Sequence, residues 1–152
     1  MHLKITSLDW IVYEWEIDKL TVESKVWQLT ILPHHDNLLT VLSPGLLKFE
    51  EHTHVHQDTH VGDFLFKDNM VILSIGGGFC KVENNNIQII TDYSVTWNTD
   101  PLHILEQNKK ELKQKLEELR SSWSYHEQDL DSLSIELEKI EGQIRLEVFK
   151  DL

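Results

Sequence analysis

Ser94-Val95-Thr96-Trp97-Asn98-Thr99-Asp100-Pro101-Leu102-His103-Ile104-Leu105 is the stretch in which the chain changes its hydrophobic period. Downstream, Leu102, Leu105, Leu112, Leu116, Leu119, Trp123, Leu130, Leu133, Leu137, Ile140 and Ile144 fall on alternating spacings of three and four. That is the seam of paired helices. Asp100 before Pro101 reads as an N-cap followed by proline at the first helical position. No Gly or Pro interrupts Leu102 to Glu141. The polar stretch Ser121 to Asp129 is the expected break, because Ser and Asp side chains compete for backbone hydrogen bonds. The expectation is an antiparallel helical hairpin over 101–152, each helix burying one apolar stripe. The register continues through the break, so a rod of about 43 residues, roughly 65 Å long, is also compatible with the pattern.

Upstream, the period is two or the apolar runs are short. Leu3 and Ile5 alternate with polar neighbours, as do Trp27, Leu29 and Ile31; Met70 to Leu73, Phe79 to Val82 and Ile87 to Ile90 are β-rich runs. Ser43-Pro44-Gly45, Lys67-Asp68-Asn69, Gly76-Gly77-Gly78 and Asn84-Asn85-Asn86 separate them as turns. Short strands with turns at such spacing predict a β-sandwich or barrel. A parallel βαβ design is not expected, because nothing helical separates the strands. The reading is therefore mixed β + α: a β-sandwich over 1–93, a linker over 94–100 and a helical hairpin over 101–152.

Composition narrows the function. The 152 residues carry 14 Lys and Arg against 26 Asp and Glu, a formal net charge of −12. Nucleic-acid binding depends on Lys and Arg releasing counterions, so no nucleic-acid partner is expected. Cys80 is the single cysteine, which leaves no intrachain disulfide and no cysteine metal framework. Neither a secretory signal nor a spanning helix is expected, since Asp9 interrupts the N-terminal stretch and Val26 to Leu47 is broken by prolines and polar residues. A soluble protein of a reducing compartment follows.

Several local groupings could carry chemistry. His52, His54 and His56 alternate, with Asp58 and His60 close behind. On a strand three such imidazoles share a face, as a zinc site requires. Gly45, His52, His54, Asp58 and Gly62 loosely resemble the first metal motif of the cupins, without the second. A solvated hairpin tip explains the same residues with no metal. His35 and Asp36 are adjacent and, on a strand, would point to opposite faces, so no acid–base couple is expected there. Gly76-Gly77-Gly78 is followed by strand residues instead of a helix N-terminus, which excludes a phosphate loop.

Taken in order, Ile31-Leu32-Pro33-His34-His35-Asp36-Asn37-Leu38, then Pro44-Gly45-Leu46, then Gly77-Gly78-Phe79-Cys80-Lys81-Val82, then the helical segment resemble the epsilon subunit of bacterial F-type ATP synthase. The tail Ser134-Ile135-Glu136-Leu137-Glu138-Lys139, with Gln143-Ile144-Arg145 and Glu147, is similar to that family's second hairpin helix. The likeness spans essentially the whole chain. Trp27 and Thr30 stand where the family has glycine, Gln28 where it has glutamate and Asn37 where it has its second proline. The stretch from Pro44 to Gly77 is longer than is usual in the family.

The resemblance implies a non-catalytic rotor subunit, linking the gamma subunit to the c-ring for proton-driven ATP synthesis, with no cofactor of its own. It places Gln28, Pro33, His34, His35, Asn37 and Leu38 at subunit contacts, and the chain on the cytoplasmic face of the bacterial inner membrane, touching the membrane only through the c-ring. The hairpin would meet the catalytic α and β subunits transiently and inhibit hydrolysis, through Leu137, Lys139, Ile140, Ile144 and Arg145. Glu106 and Lys109 match, in charge type, a regulatory ATP motif of some members. A cupin-like metal enzyme using His52, His54 and Asp58, and a free-standing coiled-coil interaction protein, stand as alternatives.

Overall fold

A computed structural model of the chain describes residues 1–8, 11–52, 64–96, 100–122 and 127–152. Among them are ten strands followed by two helices. The strands are β1 (His2–Thr6), β2 (Ile11–Glu23), β3 (Gln28–Ile31), β4 (Leu38–Leu42), β5 (Gly45–Glu51), β6 (Leu65–Lys67), β7 (Met70–Ile75), β8 (Gly78–Glu83), β9 (Asn86–Thr91) and β10 (Ser94–Val95). The helices are α1 (Leu102–Ser121) and α2 (Glu127–Asp151).

Two sheets face each other, and β2 belongs to both. Its first half pairs with β1, which begins the first sheet, β1-β9-β8-β4. Its second half pairs with β5 and β3 in the second sheet, where β7 follows β5 and carries β10 and β6. The register shifts between Ile17 and Lys19, a bulge that lets one strand turn the corner between sheets. β1 and β9 pair in parallel, the one parallel contact among the described ladders. The connection between them runs through the other strands, so no βαβ unit is involved.

The alternation of β1 does what its sequence demands, with Leu3 and Ile5 inward and fully buried. They meet Ile17, Leu20, Ile31, Leu47, Phe49, Leu73, Ile87 and Ile89 in the main core. Asp68-Asn69 and Asn84-Asn85 close two-residue hairpins with positive φ at both positions, a conformation that Asn and Asp accept more readily than other side chains. The glycine run continues as strand, as expected. At Gly78 a Cβ would strike the carbonyl oxygen of Ile90, so glycine is required by close backbone approach.

Two details differ from expectation. The sheet continues past residue 93, because Ser94 and Val95 pair with Ile75 and Ser74. The N-cap of α1 is Pro101, not Asp100: Pro101 is extended (ψ 148°), and its carbonyl accepts from the N–H groups of Ile104 (2.9 Å) and Leu105 (3.2 Å). Proline's fixed φ suits that extended position as well as the first helical one. Residues 32–37 form a loop, the structural reading of Pro33-His34-His35-Asp36, so the strand geometry weighed for His35 and Asp36 does not arise.

The helices fold back as an antiparallel hairpin. α1 stops at Ser121, where Ser122 turns extended (ψ 135°), and α2 resumes at Glu127, within the expected break. Leu105, Leu112 and Leu116 of α1 are buried. Burial of each stabilises the pair by about 1.5–3 kcal/mol as an upper figure. The structure thus holds the compact hairpin, not the rod. The single-stripe expectation fails for α2, which uses two faces. Leu137, Ile140 and Ile144, half-buried, share one face with Glu141, which is bridged to Lys109 of α1 at 3.5 Å. Gly142, Leu146 and Phe149 form another, which meets Leu65, Ile72, Tyr93 and Val95 of the sandwich in a second cluster.

Candidate functional site

The outer face of the first sheet is graded from apolar to charged. Residues directly opposite in neighbouring strands share a face. One rung reads Val41, Phe79, Ile90, Thr6 and Ile11 across β4, β8, β9, β1 and β2. The next reads Leu39, Lys81, Gln88, Lys4 and Glu14, and a third Glu83, Asn86, His2 and Glu16. Leu39, Val41, Phe79, Ile90 and Ile11 are between 42% and 72% exposed. Five strands spaced about 4.8 Å apart make this band roughly 19 Å wide. A contiguous apolar band of that size marks an interaction surface. The rung pattern is invisible along the sequence, because its members come from five separate strands.

At the charged end, His2 reaches Glu16 (Nδ1 to Oε1, 3.0 Å) and Glu14 (Nε2 to Oε1, 3.2 Å), and Lys4 lies 3.8 Å from Glu14. The contact with Glu14, then that with Glu16, raises the His2 pKa above its ordinary value. The His2 contact in turn lowers that of Glu16.

The structure separates the sequence-predicted subunit contacts into two groups. Gln28 begins β3, and Pro33 to Asn37 lie beyond its other end, about 10 Å away for a four-residue strand. Gln28 adjoins the Ser24–Trp27 turn. There the Ser24 hydroxyl donates to the Trp27 carbonyl (2.8 Å) and accepts from the N–H groups of Val26 and Trp27. The turn holds Val26 and Trp27 in solvent, at 77% and 65% exposure, so Trp27 is a surface residue despite its place in the alternation. A bridge from Ser24 to Leu42 sets this tip beside Val41 and the apolar band. In the other group, the N–H of His34 (φ 67°) donates to Asn85 Oδ1 (3.0 Å), and that of Asn84 to Asn37 Oδ1 (3.3 Å). These two bonds tie the loop to the β8–β9 turn. The His35 ring donates from Nδ1 to the Asp36 carbonyl (2.7 Å), not to its carboxylate. Leu38 starts β4, half-buried.

In the hairpin, Glu106 is exposed, and Lys109 is engaged with Glu141. Lys139 is exposed, while Arg145 donates from Nε to the Glu141 carbonyl (3.3 Å). Of the histidine run only His52 is described; its Nδ1 lies 2.6 Å from Asp18 Oδ1. His54, His56 and Asp58 lie outside the described residues. Among those described, no group of His, Cys, Asp or Glu is placed to hold a metal, and no helix is long and apolar enough to cross a membrane. Cys80 is buried, and desolvation pushes its thiol up to about 12.

Known proteins share this architecture. The family model described as "ATP synthase, Delta/Epsilon chain, beta-sandwich domain" matches residues 1–96. The ATP synthase epsilon chain of Leptospira interrogans, in two strains, is 25% identical over 111 residues, covering 73% of this chain and 76% of that one. Among solved structures, a chain of the Euglena gracilis mitochondrial ATP synthase superposes with a TM-score of 0.60 at 20% identity, over 97% of this chain and 79% of that one. A chain from the central stalk and c-ring of the Tetrahymena thermophila mitochondrial enzyme does so with a TM-score of 0.51 at 13% identity, over 98% and 94%. The cupin-like and free coiled-coil alternatives find no support, since sandwich and hairpin are matched together as one architecture. The chain belongs to the ATP synthase delta/epsilon chain family, with residues 1–96 as its β-sandwich domain.

Proposed function

We propose that this family member is a non-catalytic central-stalk subunit, with its sandwich seated on the gamma subunit and the c-ring. The observation that carries the gamma contact is the apolar rung Val41, Phe79, Ile90 and Ile11, exposed on an otherwise well-packed sandwich. Leu39 and the neighbouring Val26–Trp27 tip extend that surface. The c-ring contact falls to Gln28 beside the tip and to the loop carrying Pro33, His34, His35, Asn37 and Leu38. The named relatives are ATP synthase epsilon chains, which supports the same assignment. The chain would then sit on the side of the membrane that bears the catalytic head, the cytoplasmic face in a bacterium.

The hairpin, as folded, half-buries four of its candidate inhibitory residues and leaves Lys139 exposed. Leu137, Ile140 and Ile144 share the helix face of Glu141, which bridges to Lys109 of α1, and Arg145 is engaged with its own helix. Contact with α and β subunits through them requires the hairpin to open.

Purification of the native, untagged assembly with antibody against this chain, and identification of partners by mass, tests the assignment. Gamma and c-ring subunits at fixed stoichiometry are the expected result. A chain that elutes alone overturns it.

A further inference from the structure

The narrow face of α2 that meets the sandwich touches β5, β6, β7 and β10. Upstream the fit is steric: Gly142 admits Ser74 and Val95 closely but contributes no side chain of its own. At the last turn the contact is of another kind. Lys67 Nζ donates to the carbonyl oxygens of Phe149 (2.9 Å) and Lys150 (3.1 Å). Both carbonyls belong to the last turn of the helix, where the chain ends its i to i−4 ladder, and that of Phe149 also accepts from the N–H of Leu152 (3.3 Å). The same ammonium lies 5.2 Å from the centre of the Phe149 ring, and Lys48 Nζ lies 4.4 Å from it. Two cations therefore converge on the negative end of the helix dipole and on the π system of one ring.

The sandwich is built to deliver them. Lys67 ends β6 and is set by the Asp68-Asn69 turn that joins β6 to β7. Lys48 projects from β5, its register partner in β7 being Ile72 of the same second cluster. Replacing Lys67 by an apolar residue would take the cation from both carbonyls and leave Lys48 alone over the ring, whereas replacing Lys48 would leave Lys67 serving both.

We propose that Lys48, Lys67 and the last turn of α2 around Phe149 form a latch that holds the hairpin on the second sheet. When this latch opens, α2 leaves the second sheet. The inference rests on the central-stalk reading only for its purpose, because the latch is a property of the free chain. Opening uncovers Leu65, Ile72, Tyr93 and Val95 on the sheet, and Leu146 and Phe149 on the helix. The main core stays closed.

The two described tyrosines supply the test. Tyr93 lies under α2 in the latch-side cluster, and Tyr13 lies at the main core against Phe49 and Phe64. The full chain labelled with 3-fluorotyrosine gives a fluorine resonance for each, assigned through Tyr93→Phe and Tyr13→Phe. Phe149→Ala and Lys67→Met are each expected to raise the solvent-exposed population of Tyr93 by roughly tenfold, as loss of a cation–π contact or of charge-assisted caps implies. The Tyr13 resonance should stay in place, and Lys67→Arg should restore docking. A Tyr93 resonance unmoved in both variants overturns the latch. Joint movement of Tyr93 and Tyr13 also overturns it, because hairpin and sandwich would then open together. The measurement needs no other subunit, so its failure and failure of the stalk assignment are separate results.

Discussion

Gly142 of α2 lies flat against Ser74 of β7: a Cβ on Gly142 would stand 2.9 Å from the Ser74 hydroxyl oxygen and 3.3 Å from its Cβ. The absence of a side chain at this point is what lets the helix settle on the sheet. Gly142→Leu is predicted to weaken docking by about 2–3 kcal/mol, the usual scale of overpacking. Helix content should not fall, because leucine favours the helix by close to 1 kcal/mol over glycine. Circular dichroism and limited proteolysis at the hairpin separate the two effects.

The apolar rung of the first sheet makes a second prediction. Phe79→Asp and Ile90→Asp each break one cross-strand pair and place Asp in a strand, so stability should fall by about 1–2 kcal/mol, leaving the sandwich folded. Affinity for the gamma subunit should fall roughly thirtyfold or more, the ~2 kcal/mol of an interface hot spot. Urea unfolding and direct binding report the two quantities independently.

The cluster of His2, Glu14, Glu16 and Lys4 gives a pH signature. The raised His2 pKa stabilises the fold fully below its ordinary value of 6.5, and this contribution is lost as pH rises through the folded-state value. The lowered Glu16 pKa stabilises above 4.5 and is lost as pH falls through its folded-state value. The stability difference between the natural chain and His2→Gln should therefore be greatest between pH 4.5 and 6.5 and shrink on either side. Urea titrations across pH 3–9 check it; a difference independent of pH would refute the cluster's role.

Cys80 offers a reporter. Burial raises its thiol to about 12, so almost none is thiolate at neutral pH. It should resist maleimide in the native protein and react on the timescale of unfolding. Rapid labelling under native conditions would contradict its burial.

The sequence is most legible where periodicity is unbroken. Leu3 and Ile5, the β8–β9 hairpin with its Asn-Asn turn, and the heptad seam through Leu105, Leu112 and Leu116 can all be read directly. β2 is not, although it is the longest strand. Its apolar residues fall on odd positions at Tyr13, Trp15 and Ile17 and on even positions at Leu20 and Val22, while Ile11 and Val12 lie beyond a first register shift against β1. The bulge between Ile17 and Lys19 inverts the parity, so a period of two fails across it. Leu146 and Phe149 lie off the heptad for a related reason: they serve the sheet, not α1. The candidate surface was the least legible part. The apolar rung is assembled from several strands, and Gln28, the first residue of β3, and His34, three residues past its last, read as one motif but sit at opposite ends of the strand.

The parallel pairing of β1 with β9 carries a consequence for how the chain is made. Leu3 and Ile5 bond across to Ile87 and Ile89, the far end of the same sandwich. As the chain leaves the ribosome, β1 has only β2 beside it until β9 emerges. At about 5–20 residues per second, the roughly 80 residues between them take about 4–16 s to synthesise. For that interval one edge of β1 is an open strand edge, the kind that recruits other chains. The hairpin closes through local contacts in a small fraction of that time. The nascent sandwich, and not the coiled helices, is therefore where a crowded cell must guard this protein against aggregation.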